Sequence, residues 1–221
     1  MEFSQACIKA LFDESLRLLE SAAYKAIAHG LSVHRQDLQS GTKLRKLVKS
    51  QEVLPVDIQE LYTTRIKSIY SQIIEYATRL QCEFTLEESL IETIRNILIA
   101  DRMLVHTGKV MQPLHDNIVL FMKSGNPAIM DEYNLLRRRI LKVLREIHRA
   151  SESDYPLRHI RKIEKQRLKA EGLDALLSGR IDQLLSRGEI SNVMATSLIN
   201  DSEQASRIIR DLIDIATLLY Y

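Results

Sequence analysis

Apolar residues recur along most of the chain in an alternating four-three spacing, the mark of helices that bury one stripe. The longest such seam runs Leu90, Ile94, Ile97, Asp101, Leu104, Gly108, Met111, His115, Ile118 and Met122. A second, Met194, Leu198, Asp201, Ala205, Ile208, Leu212, Ile215 and Leu219, repeats that rhythm one hundred residues later. Each seam carries an aspartate where an apolar residue belongs. A carboxylate facing a helical core requires a partner: a cation, a metal or hydrogen-bond donors. The matching placement of the two aspartates predicts an internal duplication.

The other seams and the chain's punctuation divide it into six helices. Helix one runs from about Ser4 to His29, with Cys7, Leu11, Leu16, Leu19, Ala23 and Ile27 near one face, and Gly30 stops it. A polar stretch, 32–54, holds a basic cluster of Lys43, Arg45, Lys46 and Lys49, with room for a short helix. Pro55 opens helix two, whose seam is Ile58, Tyr62, Ile66, Ile69, Ile73, Ala77 and Leu80. Thr85 and Glu88 form a capping box at the start of helix three, which extends to Lys123. Asn126 and Pro127 cap and open helix four, with seam Ile129, Tyr133, Leu136, Ile140, Val143 and Ile147. Helix five spans about Pro156 to Arg187, kinked at Glu171-Gly172 where its apolar phase shifts, and helix six fills Ile190 to Leu219. Short turns make neighbours antiparallel. The expected fold is all-α: a six-helix bundle of two three-helix repeats, residues 1–124 and 125–221.

Composition narrows the function classes. A chain of 221 residues can bury a sizeable core, and four prolines, seven glycines and no tryptophan leave few interruptions. No apolar run approaches the roughly 20 residues that span a bilayer, and Met1-Glu2-Phe3-Ser4 is not the start of a signal peptide. Cys7 and Cys82 are too few and too far apart for a disulfide framework or a zinc motif, which reads as a reduced, cytosolic chain. The net charge of +2 does not announce nucleic acid. There is no Gly-rich phosphate loop, nucleophile elbow, metalloprotease histidine pair or Glu-x-x-His motif, so no enzyme is expected. No cofactor is expected either, apart from one alternative: a divalent metal held by Asp101 and Asp201. Against it stand pairing with an arginine or lysine, backbone capping, and, for Asp201, an irregular stretch shared with Asn200 and Ser202.

Charge is distributed unevenly. From Arg137 to Lys169 there are twelve Lys or Arg against four acids, whereas from Glu171 onward there are eight acids against four arginines. Either helix six complements helices four and five, or the basic run is simply a solvated face, or it is a docking surface for anionic lipid headgroups or an acidic partner. Arg138, Lys142 and Arg145 lie off the helix-four seam and are expected to project outward as that surface. Aromatics are scarce there, which disfavours RNA.

Four segments carry a family likeness: Ala28-His29-Gly30-Leu31, Arg65-Ile66-Lys67-Ser68-Ile69-Tyr70, Ile99-Ala100-Asp101-Arg102 and Leu198-Ile199-Asn200-Asp201-Ser202. Together they resemble the PhoU family, in particular the cytoplasmic PhoU-like region that follows the membrane part of sodium/phosphate cotransporter-type proteins. The resemblance implies three-helix repeats and a non-enzymatic role in phosphate homeostasis. Some members of that family bind multinuclear iron or zinc clusters through Glu/Asp-x-x-x-Asp motifs on the third helix of each repeat. Here the fourth residue after Asp101 is Val105 and after Asp201 is Ala205, so one carboxylate of each pair remains and no such cluster is expected. The implied function is a regulatory domain for sodium-coupled phosphate transport, at the inner face of the plasma membrane. Its implied partners are the transporter's membrane part or cytoplasmic loops, an anionic membrane surface, and a second copy of the chain as a homodimer. The alternatives are a metal-binding PhoU-like protein with carboxylate ligands, or a helical protein-interaction adaptor.

Overall fold

Long amphipathic segments with few breakers fold as helices, and among the described residues there is no strand. The computed structural model describes residues 2–50, 52–175 and 178–220. Helix α1 comprises Glu2–Arg17, a π-helical stretch Leu18–Ala23, and Tyr24–Gly30. Two short helices follow, α2 (Arg35–Gln39) and α3 (Leu44–Lys49). Helix α4 comprises Ile58–Leu61, a π-helical stretch Tyr62–Ile66, and Lys67–Glu83. The long helices α5 (Glu88–Met122) and α6 (Pro127–Ser151) come next. Three short pieces, α7 (Pro156–Glu164), α8 (Arg167–Glu171) and α9 (Arg180–Ser186), precede α10 (Asn192–Tyr220).

The seams read from the sequence are largely the core, although Cys7 and Leu16 of α1 are half-buried while Ile8, Ser15 and Leu18 beside them are buried, and Tyr62 of α4 is half-buried. Every α6 seam residue is buried, as are those of α5 apart from Leu90 and those of α10 apart from Met194. Pairs of side-chain contacts fix the helix directions. Ser15 meets Asp101 and Gly30 meets His115 at nearly constant residue separation, so α1 and α5 run parallel. Asn117 meets Asp201 while His106 faces Asp211, so α5 and α10 run antiparallel. Asn126 with Met194 and Tyr133 with Asp201 make α6 and α10 parallel. The packing of α5 on α10 joins α1 and α4 to α6 and α7.

Several expectations are corrected. The Thr85–Glu88 capping box does not form: α5 starts at Glu88, after Glu87, with no side-chain cap bond. Asp57, not Pro55, opens α4, its carboxylate accepting from the Glu60 N–H at 2.7 Å. Asn126 does cap α6, accepting from the Ala128 and Ile129 N–H groups. The predicted helix five is broken, with turns on both sides of α8, and Gly179 sits at φ +69° where a left-handed residue enters α9. Residues 176 and 177 of that predicted helix lie outside the described residues.

The π-helical stretches of α1 and α4 pack against each other. Beside them Gly108 of α5 permits close approach: a Cβ there would stand 2.6 Å from Cδ1 of Ile66. The glycine thus leaves room for the Ile66 methyl, which a larger residue would have to displace, and its backbone conformation is not a left-handed one. On α6, burial extends beyond the seam to Arg137, Leu141, Leu144 and Arg145, because α2 and α3 pack over a second face of that helix.

Candidate functional site

Asp101 sits in the middle of the α5 seam, entirely inaccessible to solvent. The Ser15 hydroxyl of α1 donates to its Oδ1 at 2.6 Å, while its Oδ2 is buried without a hydrogen-bond partner. Burial pushes this carboxyl up to about 7, against the smaller opposing effect of the Ser15 bond. Asp201 of α10 is held in a similar way. The Tyr133 hydroxyl of α6 and the Asn117 amide of α5 both donate to its Oδ2. Burial raises its pKa, and the two donors work in the other direction. Each aspartate is thus bound by a hydroxyl from a long helix running parallel to its own.

The two carboxylates form separate places. Asp101 and the Asp201 partner Asn117 lie sixteen residues apart on α5, about 24 Å at the helical rise of 1.5 Å per residue. Their partners are hydroxyl and amide groups and not the arginine or lysine that the sequence left open. Among the described residues no three His, Cys, Asp or Glu side chains come together as a metal-holding group. A hard cation at either aspartate would draw on that one carboxylate and neutral oxygens, against the six or more oxygen ligands calcium takes.

The proposed outward basic set does not stand as a surface. Arg145 is 8% exposed, and its Nε donates to the Leu38 carbonyl at 2.8 Å. Arg138 and Lys142 are half-buried. For Arg145 and Arg138 the physical reason is the 31–50 connection, which folds back along α6, whereas Lys142 lies toward Lys169 of α8. Lys142 is held below its ordinary value by burial first, then by Lys169 and Arg139. Arg138 lines a cleft of about 350 Å³ between α3 and α6, with Arg45, Lys49 and Arg180 as its other cations. Asp131 and Glu132 share that lining, and Arg180 Nε lies 3.3 Å from the Glu132 carboxylate.

Arg137 is the functional-looking residue that the sequence reading missed. It is fully buried, yet no carboxylate among the described residues meets it. Its Nε donates to the Leu31 carbonyl, Nη1 to the Val48 carbonyl and the Asn134 side chain, each at 2.8 Å, and Nη2 to the Ser32 carbonyl at 3.3 Å. These carbonyls lie at the C-terminal ends of α1 and α3, where unpaired backbone oxygens favour a cation. Burial pushes the guanidinium down to about 10, which still leaves it charged at neutral pH. Ser32, at φ +52°, turns the chain beside this cation. The overlooked signal was Leu141 and Leu144, one place off the seam, which mark a second buried stripe shared with Arg137 and Arg145.

No helix among the described residues is long and apolar enough to cross a membrane. Compared with protein families, curated proteins and solved structures, the chain matches none.

Proposed function

We propose that this chain is a regulatory, PhoU-like helical domain linked to sodium-coupled phosphate transport and phosphate homeostasis, acting on the membrane part or cytoplasmic loops of a transporter. In this reading residues 1–124 and 125–221 are two three-helix repeats packed as one unit, the second with its middle helix broken into α7, α8 and α9. The observation that carries it is the shared placement of Asp101 and Asp201. Each lies on the last long helix of its half and accepts a hydroxyl from the first, Ser15 in one half and Tyr133 in the other. The family likeness of the four quoted segments supplies the phosphate link.

The test is sodium-dependent uptake of labelled phosphate by cells of the source organism, with the coding sequence intact, deleted, or restored. A change on deletion that the restored chain reverses supports the reading. Unchanged uptake at both scarce and abundant phosphate overturns it. Elemental analysis of protein purified without chelator separates this from the metal-binding alternative: stoichiometric iron or zinc, lost in Asp101→Ala, would favour the latter.

A further inference from the structure

The basic run that fails to present itself on α6 does so on α7 and α8. Residues 155–169 contain six cations and one acid, Glu164, and that acid pairs with Arg167. On α7, Ile160 and Ile163 face the core. Arg158, Arg161, Lys162 and Lys165 recur at i, i+3, i+4 and i+7 on the opposite side and are all exposed. Lys162 leans back to Glu146 at 3.7 Å. Arg158, Arg161 and Lys165 have no ion-pair partner among the described residues. Large apolar side chains border this stripe: Tyr155 is 77% exposed, Leu168 78% and Leu157 41%. Between Arg161 and Lys165 a cleft of about 420 Å³ opens against α10, with Ile160, Thr217 and the Arg167-paired Glu164 in its wall.

Hydrated cations beside exposed leucine and tyrosine are tolerated in water and match both layers of a bilayer interface. There the cations meet anionic headgroups while the apolar side chains enter the headgroup–acyl boundary. We propose that the α7–α8 face docks on an anionic lipid bilayer, with Arg158, Arg161 and Lys165 as its electrostatic contacts and Leu168 as an inserted side chain. An acidic protein is the weaker occupant, because it would pair the cations but leave the strongly exposed Leu168 and Tyr155 without an apolar phase to enter. The inference rests on the charge and exposure of this face and stands whether or not the chain regulates phosphate transport.

The experiment is cosedimentation of the full chain with vesicles of phosphatidylcholine, alone or with about one-third phosphatidylserine, at low and high salt. The expected result is binding to the anionic vesicles only, weakened by salt. The triple variant Arg158→Glu/Arg161→Glu/Lys165→Glu should lower partitioning by on the order of 100-fold. Leu168→Ser should lower it severalfold at constant charge. The control is Lys43→Glu/Arg45→Glu/Lys46→Glu, exposed positions on and beside α3. That helix packs across α6 from α7, since Arg137, which reaches Val48 O, and Glu146, which meets His159, are nine residues and so about 180° apart. The control should retain binding. No binding to anionic vesicles, equal binding to neutral ones, or an equal loss in the control would each overturn the proposal. So would capture of the chain by immobilised poly-glutamate without any vesicle binding.

Discussion

Asp101 should make the protein less stable as pH rises through neutrality. Its carboxyl is inaccessible, holds one bond from Ser15, and leaves its second oxygen without a partner. Burial raises it from the ordinary 3.8 to about 7, so the folded state holds this proton more tightly than the unfolded chain does. The sign follows: the contribution to stability is full below the unfolded value and is lost as pH climbs to the folded one. From about pH 5 to about pH 8 the loss amounts to ~2.5 kcal/mol, with 1.36 kcal/mol for each tenfold change in proton affinity. Asp101→Asn keeps the shape and still accepts from Ser15 but does not titrate. Its amide strands a donor where Oδ2 was, a penalty of about 1–3 kcal/mol that is independent of pH. The informative quantity is therefore the difference between the two proteins across pH, in which all other titrating groups cancel. Urea unfolding followed by far-UV circular dichroism should show the variant gaining ~2.5 kcal/mol on the wild type from about pH 5 to about pH 8. Parallel pH profiles would refute the reasoning, because they require the carboxyl to have the same charge folded as unfolded.

Tyr133→Phe removes one of the two donors to Asp201 and should destabilise by about 1–3 kcal/mol, an effect that shrinks in an Asp201→Asn background in a double-mutant unfolding cycle. In Arg137→Lys a single ammonium replaces a fork that serves carbonyls of residues 31, 32 and 48 and the side chain of Asn134. Amides of residues 31–50 should then exchange hydrogen faster while those of α10 keep their protection, and uniform acceleration across both would count against the local role. Gly108→Ala brings a Cβ to 2.6 Å from Cδ1 of Ile66 and should lower stability by about 1–3 kcal/mol. Adding Ile66→Val removes that terminal methyl and should recover most of the loss in thermal melts, and no recovery would place the strain elsewhere.

The later long helices, α5, α6 and α10, were legible because each seam carries enough apolar positions that only one helical phase fits, whereas α1 also buries Ile8, Ser15 and Leu18 beside its expected seam. All six seam residues of α6 are buried, from Ile129 to Ile147, and α5 reads correctly straight through Pro113. The proline interrupts the ladder without ending the helix, since the flanking seam residues Met111, His115 and Ile118 stay packed. Helix boundaries were less legible, because capping depends on local geometry: Thr85 and Glu88 have the right types and spacing, yet the chain turns into α5 at Glu87 instead. The break of helix five lies where Gly172 and Gly179 lower helix stability and where long-range bonds compete. The Ala175 N–H donates to the Ser202 hydroxyl and the Ser206 hydroxyl donates to the Ala170 carbonyl, tying the irregular segment to α10. The two aspartates were found by pattern alone, but their hydroxyl partners were not. Ser15 lies eighty-six residues from Asp101, and nothing in a seam marks which small polar residue of another helix stands opposite.

The basic run divides into a buried part and an exposed part according to what covers it. On α6 the connection after α1 arrives with unpaired carbonyls at residues 31, 32, 38 and 48, and Arg137 and Arg145 turn inward to satisfy them. Arginine suits that work because a planar fork reaches several acceptors at once while its long stem fills apolar space. On the side of α7 away from α6 and α10 the cations Arg158, Arg161 and Lys165 stay in solvent, as do Tyr155, Leu157 and Leu168. Counting charge along the sequence treats both sets alike. The distinguishing sign lies in the apolar residues between them: Leu141 and Leu144 widen the buried arc of α6, whereas Ile160 and Ile163 leave α7 a single narrow one. The wide apolar arc of α6 goes with buried arginines that bind backbone carbonyls, and the narrow arc of α7 with cations left in solvent.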